Sequence, residues 1–216
     1  MTDRTRIARS GYRRSMAVVD VWFDPSCPYT WVTANWLLEV ERVRPIELRW
    51  NIMSLSVLNE DKEIDPEGDT EGYLWLPVRI CAAVEQEHGH TGLRDFYFAL
   101  GRRLHEGAEW DPEAIPQALI EAGLPVSLAD QAWNTDYDQR IRASHERGVG
   151  LVGTHVGTPI ISVTDEARRS AWFGPVLSRV PRGEVAGTLF DAVSTMVAVP
   201  GFHEVKTTAP SPPDLS

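Results

Sequence analysis

The apolar run Ala17-Val18-Val19-Asp20-Val21-Trp22-Phe23 leads into Asp24-Pro25-Ser26-Cys27-Pro28 and then into a segment of helical periodicity. No other stretch of the chain constrains its fold as tightly. The run predicts a buried strand over 17 to 23, and the spacing after Pro28 predicts a helix over about 28 to 43. Trp31, Ala34 and Leu38 recur along one side of that helix, Trp36, Leu37 and Val40 broaden the apolar face, and Pro45 ends it. Pro28 suits the first helical position, because the N–H it lacks would have no partner there anyway.

One cysteine is thereby placed at the first turn of a helix. Unpaired backbone N–H groups and the helix dipole favour negative charge at such a point. The expectation is a Cys27 thiol that ionises below the ordinary value of about 8.5, the thiolate being the reactive form. Free cysteines are often no more than small buried hydrophobes. The order strand, Pro, Cys, Pro, helix argues against that reading here. A dithiol Cys-x-x-Cys motif would need a cysteine at position 30, and Thr30 stands there. Cys27 therefore cannot close a disulfide within its own turn. The Thr30 hydroxyl can hydrogen-bond a thiolate and favour the charged form.

Composition removes several classes of function. A formal charge of -10 over 216 residues gives no basic footprint for nucleic acid. Two cysteines far apart do not make a disulfide-stapled secreted scaffold. No apolar stretch approaches the length of a membrane span. Eight tryptophans and 43% hydrophobic residues are enough for a substantial core, and Trp31, Trp36, Trp50 and Trp75 read as part of it. Residues 1 to 15 carry five arginines against one acid and read as a disordered basic leader, with Met16 as an alternative start. The Pro-rich end, 207 to 216, reads as a disordered tail.

Ile46-Glu47-Leu48-Arg49-Trp50-Asn51-Ile52 alternates and predicts a second strand, parallel to the first across the helix. The acidic stretch 59 to 72 fits no calcium-loop spacing and reads as a solvated loop. Helices are expected over 76 to 87, 92 to 106, 113 to 122 and 127 to 147. His88-Gly89-His90 has no third ligand at recognisable spacing and reads as a helix-ending turn, so no metal is expected. Strands are expected at 159 to 163 and 171 to 173, joined by a polar turn, and a last helix at 184 to 197. The organisation is a thioredoxin-like domain over 16 to 65 and 150 to 206, interrupted by a helical insertion over 66 to 149. Cys81 shares an apolar helix face with Pro77, Ile80 and Val84 and reads as core. Gly157-Thr158-Pro159 opens the third strand, a position where proline is tolerated and a cis bond is possible.

A β-α-β unit with Cys-Pro at the helix start, followed by Thr-Pro before a β-β-α unit, resembles the thioredoxin fold, and the helical insertion resembles its DsbA-like branch. Trp22-Phe23-Asp24-Pro25-Ser26-Cys27-Pro28, the string from Met53 to Glu60, His155-Val156-Gly157-Thr158-Pro159 and the string from Phe173 to Gly183 are similar to the actinobacterial mycothiol-dependent nitroreductase family. The resemblance implies a cytoplasmic α/β thiol oxidoreductase with mycothiol as cosubstrate and no metal or nucleotide. Its partners would be that low-molecular-weight thiol, a small electrophilic or oxidised substrate, and a mycoredoxin or second thiol to resolve the mixed disulfide. The protein would act as a monomer or homodimer, without nucleic acid or membrane.

In that family the nucleophile is the first cysteine of Cys-Pro-Trp-Cys, which falls on Cys27. The resemblance makes Pro159 the cis-proline, Thr158 the residue whose backbone meets the thiol substrate, and His105 a pocket histidine from the helical part. Pro28, Tyr29, Trp31 and Met53 complete the expected binding residues, with Thr30 beside the nucleophile. The departures are Tyr29 for Trp and Thr30 for the second Cys, which leave a monothiol mechanism. Two alternatives stand beside it: a thiol transferase of the kappa-class glutathione transferase type, and a binding homologue without catalysis.

Overall fold

The structure is a computed structural model that describes residues 16–111, 113–165 and 168–215; the expected leader, 1 to 15, lies outside the described residues. Strand β1 (Ala17–Phe23) leads into helix α1 (Pro28–Val43) and strand β2 (Ile46–Ile52). β1 and β2 run parallel, with Val19 opposite Leu48 and Val21 opposite Trp50. After a long helical segment, β3 (Ile160–Thr164) joins β1 antiparallel, and β4 (Arg169–Phe173) follows as a hairpin. The four strands lie in the order β2-β1-β3-β4, so β1, which delivers Cys27, is a central strand.

One face of β1 is fully buried through Val19, Val21 and Phe23, and on the other Trp22 is buried while Val18 and Asp20 are half-buried. α1 puts Trp36, Leu37 and Val40 into the core, and α6 (Gly183–Met196) packs beside it. There the Trp36 indole N–H donates to the Ala186 carbonyl at 3.1 Å.

The helical segment begins with a short helix missing from the expected elements, α2 (Leu55–Asn59). Ser54 caps it by accepting from the Val57 N–H at 3.3 Å. α3 (Trp75–Gly101) is broken at Gly89, whose φ of 69° is one that L side chains avoid. The turn expected at His88-Gly89-His90 is that break. A π turn, Arg102–Glu106, follows, and α4 (Ala114–Glu121) comes next. A single helix expected over 127 to 147 is instead a 3-10 segment, Val126–Trp133, a 3-10 turn, Thr135–Tyr137, and α5 (Asp138–Val149). Asn134 interrupts it. Its backbone is extended, and its side chain accepts from the Asp136 N–H at 3.0 Å, which restarts the chain as a new turn.

The second half of α3 welds this segment to the sheet through rings. Tyr97 lies 3.9 Å from Phe23, centroid to centroid, and Phe98 meets both Trp31 and Trp50. Trp31, Trp36 and Trp50 are buried, as expected of core residues. Trp75 is only partly so, with the Arg79 and Arg142 guanidinium groups over its ring. The described part of the tail, 207 to 215, forms no helix or strand and is mostly exposed, and it makes a few contacts. Ser211 O accepts from both Tyr29 Oη and Ser178 Oγ, and the Asp214 N–H donates to Ser178 O. A proline-rich segment has little backbone freedom to lose, so few contacts are needed to dock it.

Candidate active site

Cys27 is the N-cap of α1, with extended backbone (φ -82°, ψ 115°), and Pro28 begins the helix. The cap places the sulfur over the helix end, where it accepts from the Thr30 N–H at 3.5 Å. Across the sulfur lies the end of the loop before β3, where the Thr158–Pro159 peptide is cis. The Cys27 thiol donates to Thr158 O at 4.0 Å. Thr30 is fully buried, and its hydroxyl pairs with the Thr158 hydroxyl at 3.2 Å. Thr158 Oγ1 in turn donates to Trp22 O at 3.5 Å. Of the expected residues, Cys27, Pro28, Thr30, Thr158 and Pro159 are thus assembled in one place.

The ionisation expected of Cys27 is corrected. Burial is the largest influence and pushes the thiol above its ordinary value, although the residue keeps partial exposure. The Thr30 hydroxyl and N–H pull the other way, and the Asp24 charge adds to the rise. The helix start does stabilise the thiolate, but through long contacts that do not offset desolvation.

Asp24 is the site residue that sequence reasoning left out. It closes β1 and is fully buried. Its Oδ1 accepts from the Ser26 N–H and its Oδ2 from the Leu55 N–H, both at 2.7 Å. One carboxyl therefore ties the turn before Cys27 to the start of α2. Burial raises it to about 7, against the lowering effect of those two amides. The signal was an acid between a buried strand and Pro25, but an acid after a strand is usually solvated, and only the tertiary fold shows otherwise.

His105 sits in the π turn and is buried. Its Nε2 lies 2.9 Å from Pro25 O. A carbonyl only accepts, so Nε2 carries the proton, and burial lowers the imidazole's pKa, which keeps the ring neutral. The ring stacks on Trp31 and meets the edge of exposed Trp110. His105 thus holds the Cys27 turn by its backbone. Gly101 allows this packing, since a Cβ there would overlap the Trp31 ring.

Met53 does not line a pocket as expected. It is fully buried with Trp22, Val149 and Ile160 and has no surface to offer a ligand. Trp31 borders a cleft of about 400 Å³ with Asn35, Phe98 and Arg102, which Cys27 does not line. Cys81 is fully buried in the core, and burial holds its thiol well above the ordinary value. Among the described residues no group of His, Cys, Asp or Glu is arranged to hold a metal ion, and no helix is long and apolar enough to cross a membrane.

A cysteine capping a helix opposite a cis-proline, on a thioredoxin fold with a helical insertion, defines the DsbA-like class of thioredoxin folds. The family model described as Mycothiol-dependent nitroreductase Rv2466c matches residues 26–207, and the chain belongs to that Rv2466c-like family. It is 31% identical over 197 residues to the uncharacterized protein Rv2286c of Mycobacterium tuberculosis, covering 88% of this chain and 82% of that protein. Its fold is similar to that of the cytosolic disulfide reductase DsbM from Pseudomonas aeruginosa (TM-score 0.52, 15% identity, 82% of this chain and 98% of that chain). It is also similar to 2-hydroxychromene-2-carboxylate isomerase (TM-score 0.56, 15% identity, 83% of this chain and 94% of that chain).

Proposed function

We propose that the protein is a mycothiol-dependent oxidoreductase that works through one thiol, Cys27. The observation that carries this reading is the geometry at the start of α1. The Cys27 sulfur meets Thr158 O at 4.0 Å beside the cis Thr158–Pro159 peptide, and Thr30 occupies the place of a second cysteine. Membership in a family described as mycothiol-dependent supports mycothiol as the cosubstrate.

The cycle needs two exchanges. Cys27 attacks one sulfur of a small disulfide. A Cys27–sulfur bond forms, the old sulfur–sulfur bond breaks, and the proton lost by Cys27 ends on the released thiol. Reduced mycothiol then attacks the substrate sulfur of the mixed disulfide, returning Cys27 and leaving a mycothiol mixed disulfide for a mycoredoxin to reduce. One half of the substrate disulfide leaves as a free thiol, mycothiol takes its place in the disulfide, and the two electrons that reduce that mixed disulfide come from the mycoredoxin. Thr158, Pro159 and Tyr29 frame the approach, Thr30 favours the Cys27 thiolate as it forms, and His105 and Asp24 hold the turn that carries the sulfur. Turnover of a mycothiol mixed disulfide should vanish in Cys27→Ala and survive in Cys81→Ala.

A thiol-transferase reading is favoured by one observation, the buried pair of Thr30 and Thr158 hydroxyls 3.2 Å apart. Such a pair can hold a bound thiolate in place of the protein's own. Activity retained in Cys27→Ser and lost in Thr30→Val would select it over the redox reading.

A further inference from the structure

The chain beyond residue 207, outside the span matched by the family, returns to the active-site face of α1. Tyr29, two residues after Cys27, donates from Oη to Ser211 O at 3.3 Å. Ser178 donates to the same carbonyl from Oγ at 2.7 Å and accepts the Asp214 N–H at 2.7 Å. Leu215 packs against the core, and with Asp214 it borders a cleft of about 160 Å³ that Trp31 and Leu38 also line. The loop bearing Ser178 is itself tied to the site. Its Gly174 N–H donates to Pro159 O at 2.9 Å, and its Pro175 O accepts from Thr33 Oγ1 at 2.9 Å. The tail thus bridges the two pieces of chain that flank the nucleophile, the start of α1 and the loop beside the cis-proline.

We propose that residues 207–215 form a strap that sets the size of the disulfide reaching Cys27, admitting small molecules and delaying protein-sized partners. The claim deepens the oxidoreductase reading and rests on it. Cys27 is partly exposed with the strap in place, so a small disulfide needs no opening. A protein disulfide must lay chain on both sides of the sulfur, against the start of α1 and the loop beside the cis-proline, and the strap is bonded to both, at Tyr29 and at Ser178. The strap is lightly held. Most of its residues are exposed, and the ion pair of Arg179 with Asp214 at 3.7 Å is on the surface and contributes little. It therefore opens readily and acts as a filter of rates.

The test compares two reagents of one chemistry and different size on Cys27: N-ethylmaleimide and a maleimide carried on a long polyethylene glycol. Neither needs mycothiol or turnover, so the result is independent of whether the oxidoreductase reading holds. Two variants loosen the strap, Ser178→Ala and a chain ending at Lys206. The point variant keeps the tail's apolar contact should the shortened chain fold poorly. The long reagent should react about fivefold faster in Ser178→Ala, the opening bias given by loss of one hydrogen bond, and faster still in the shortened chain. The rate with N-ethylmaleimide should stay as in the full chain. An unchanged ratio of the two rates in both variants would overturn the proposal, and so would equal acceleration of both reagents.

Discussion

At Cys27 two tendencies compete, and their balance can be measured. The cap position and Thr30 favour the thiolate, while burial and the Asp24 charge oppose it, and the second pair wins. The rate of alkylation against pH should have its midpoint above the ordinary thiol value. Thr30→Val removes the hydroxyl at nearly constant volume and should move that midpoint further up, whereas Thr30→Ser should leave it near the wild type. A Thr30→Val midpoint that falls would show that the hydroxyl does not act on the sulfur. The Asp24→Asn variant removes a neighbouring negative charge and should lower the Cys27 midpoint, a shift that a residue with only a structural role would not produce.

Among the elements, the junction of α3 with the π turn carries the most consequence for the site. Trp31 lies against Gly101, and His105 stacks on the same ring while its Nε2 holds Pro25 O. A Gly101→Ala change forces that ring to move in a filled core, where overpacking costs about 1–3 kcal/mol. Thermal unfolding should report the loss, and Cys27 alkylation should change in the same variant because the displaced ring drags the His105 contact. A variant as stable as the parent would mean the ring relocates freely. Such a contact has no mark in the sequence, since glycine inside a helical pattern reads only as a weak helix former. The elements around it were more legible. Alternation in 46 to 52 and the brackets of Cys-Pro and Pro45 around α1 gave their bounds to the residue, because periodicity and prolines act locally. The segment from 126 to 149 was not legible, because the Asn134 cap that divides it competes with a helical pattern running through it. Met53 belonged to an attractive string but lies just past β2, packed with Trp22, Val149 and Ile160, and only the tertiary fold sets that burial.

On the scale of the whole molecule, the buried Asp24 links folding to pH. Its carboxyl titrates at about 7 in the fold against an ordinary value of 3.8. Between those values the native state holds a proton that the unfolded chain has lost, so the Asp24 contribution to stability falls as pH rises and is flat above about 7. Three units correspond to something on the order of 4 kcal/mol at most. Urea unfolding at pH 5 and at pH 7.5 should show this slope in the wild type and not in Asp24→Asn, which is also weakened at both values because its amide faces a backbone N–H. Equal slopes in the two proteins would place the titration elsewhere. This link was hidden in the sequence for the same reason as the docked tail: both depend on segments far apart in the chain, and neither carries a periodic pattern.

The central claim is that this thioredoxin fold works with one thiol. Its most direct test is the intact mass of the native protein after exposure to mycothiol disulfide, followed by peptide mapping. The account predicts a gain of one mycothiol moiety, on Cys27, with Cys81 free and the adduct removed by reduced mycothiol. A protein that gains no mycothiol and instead loses two hydrogens to a Cys27–Cys81 disulfide would contradict it.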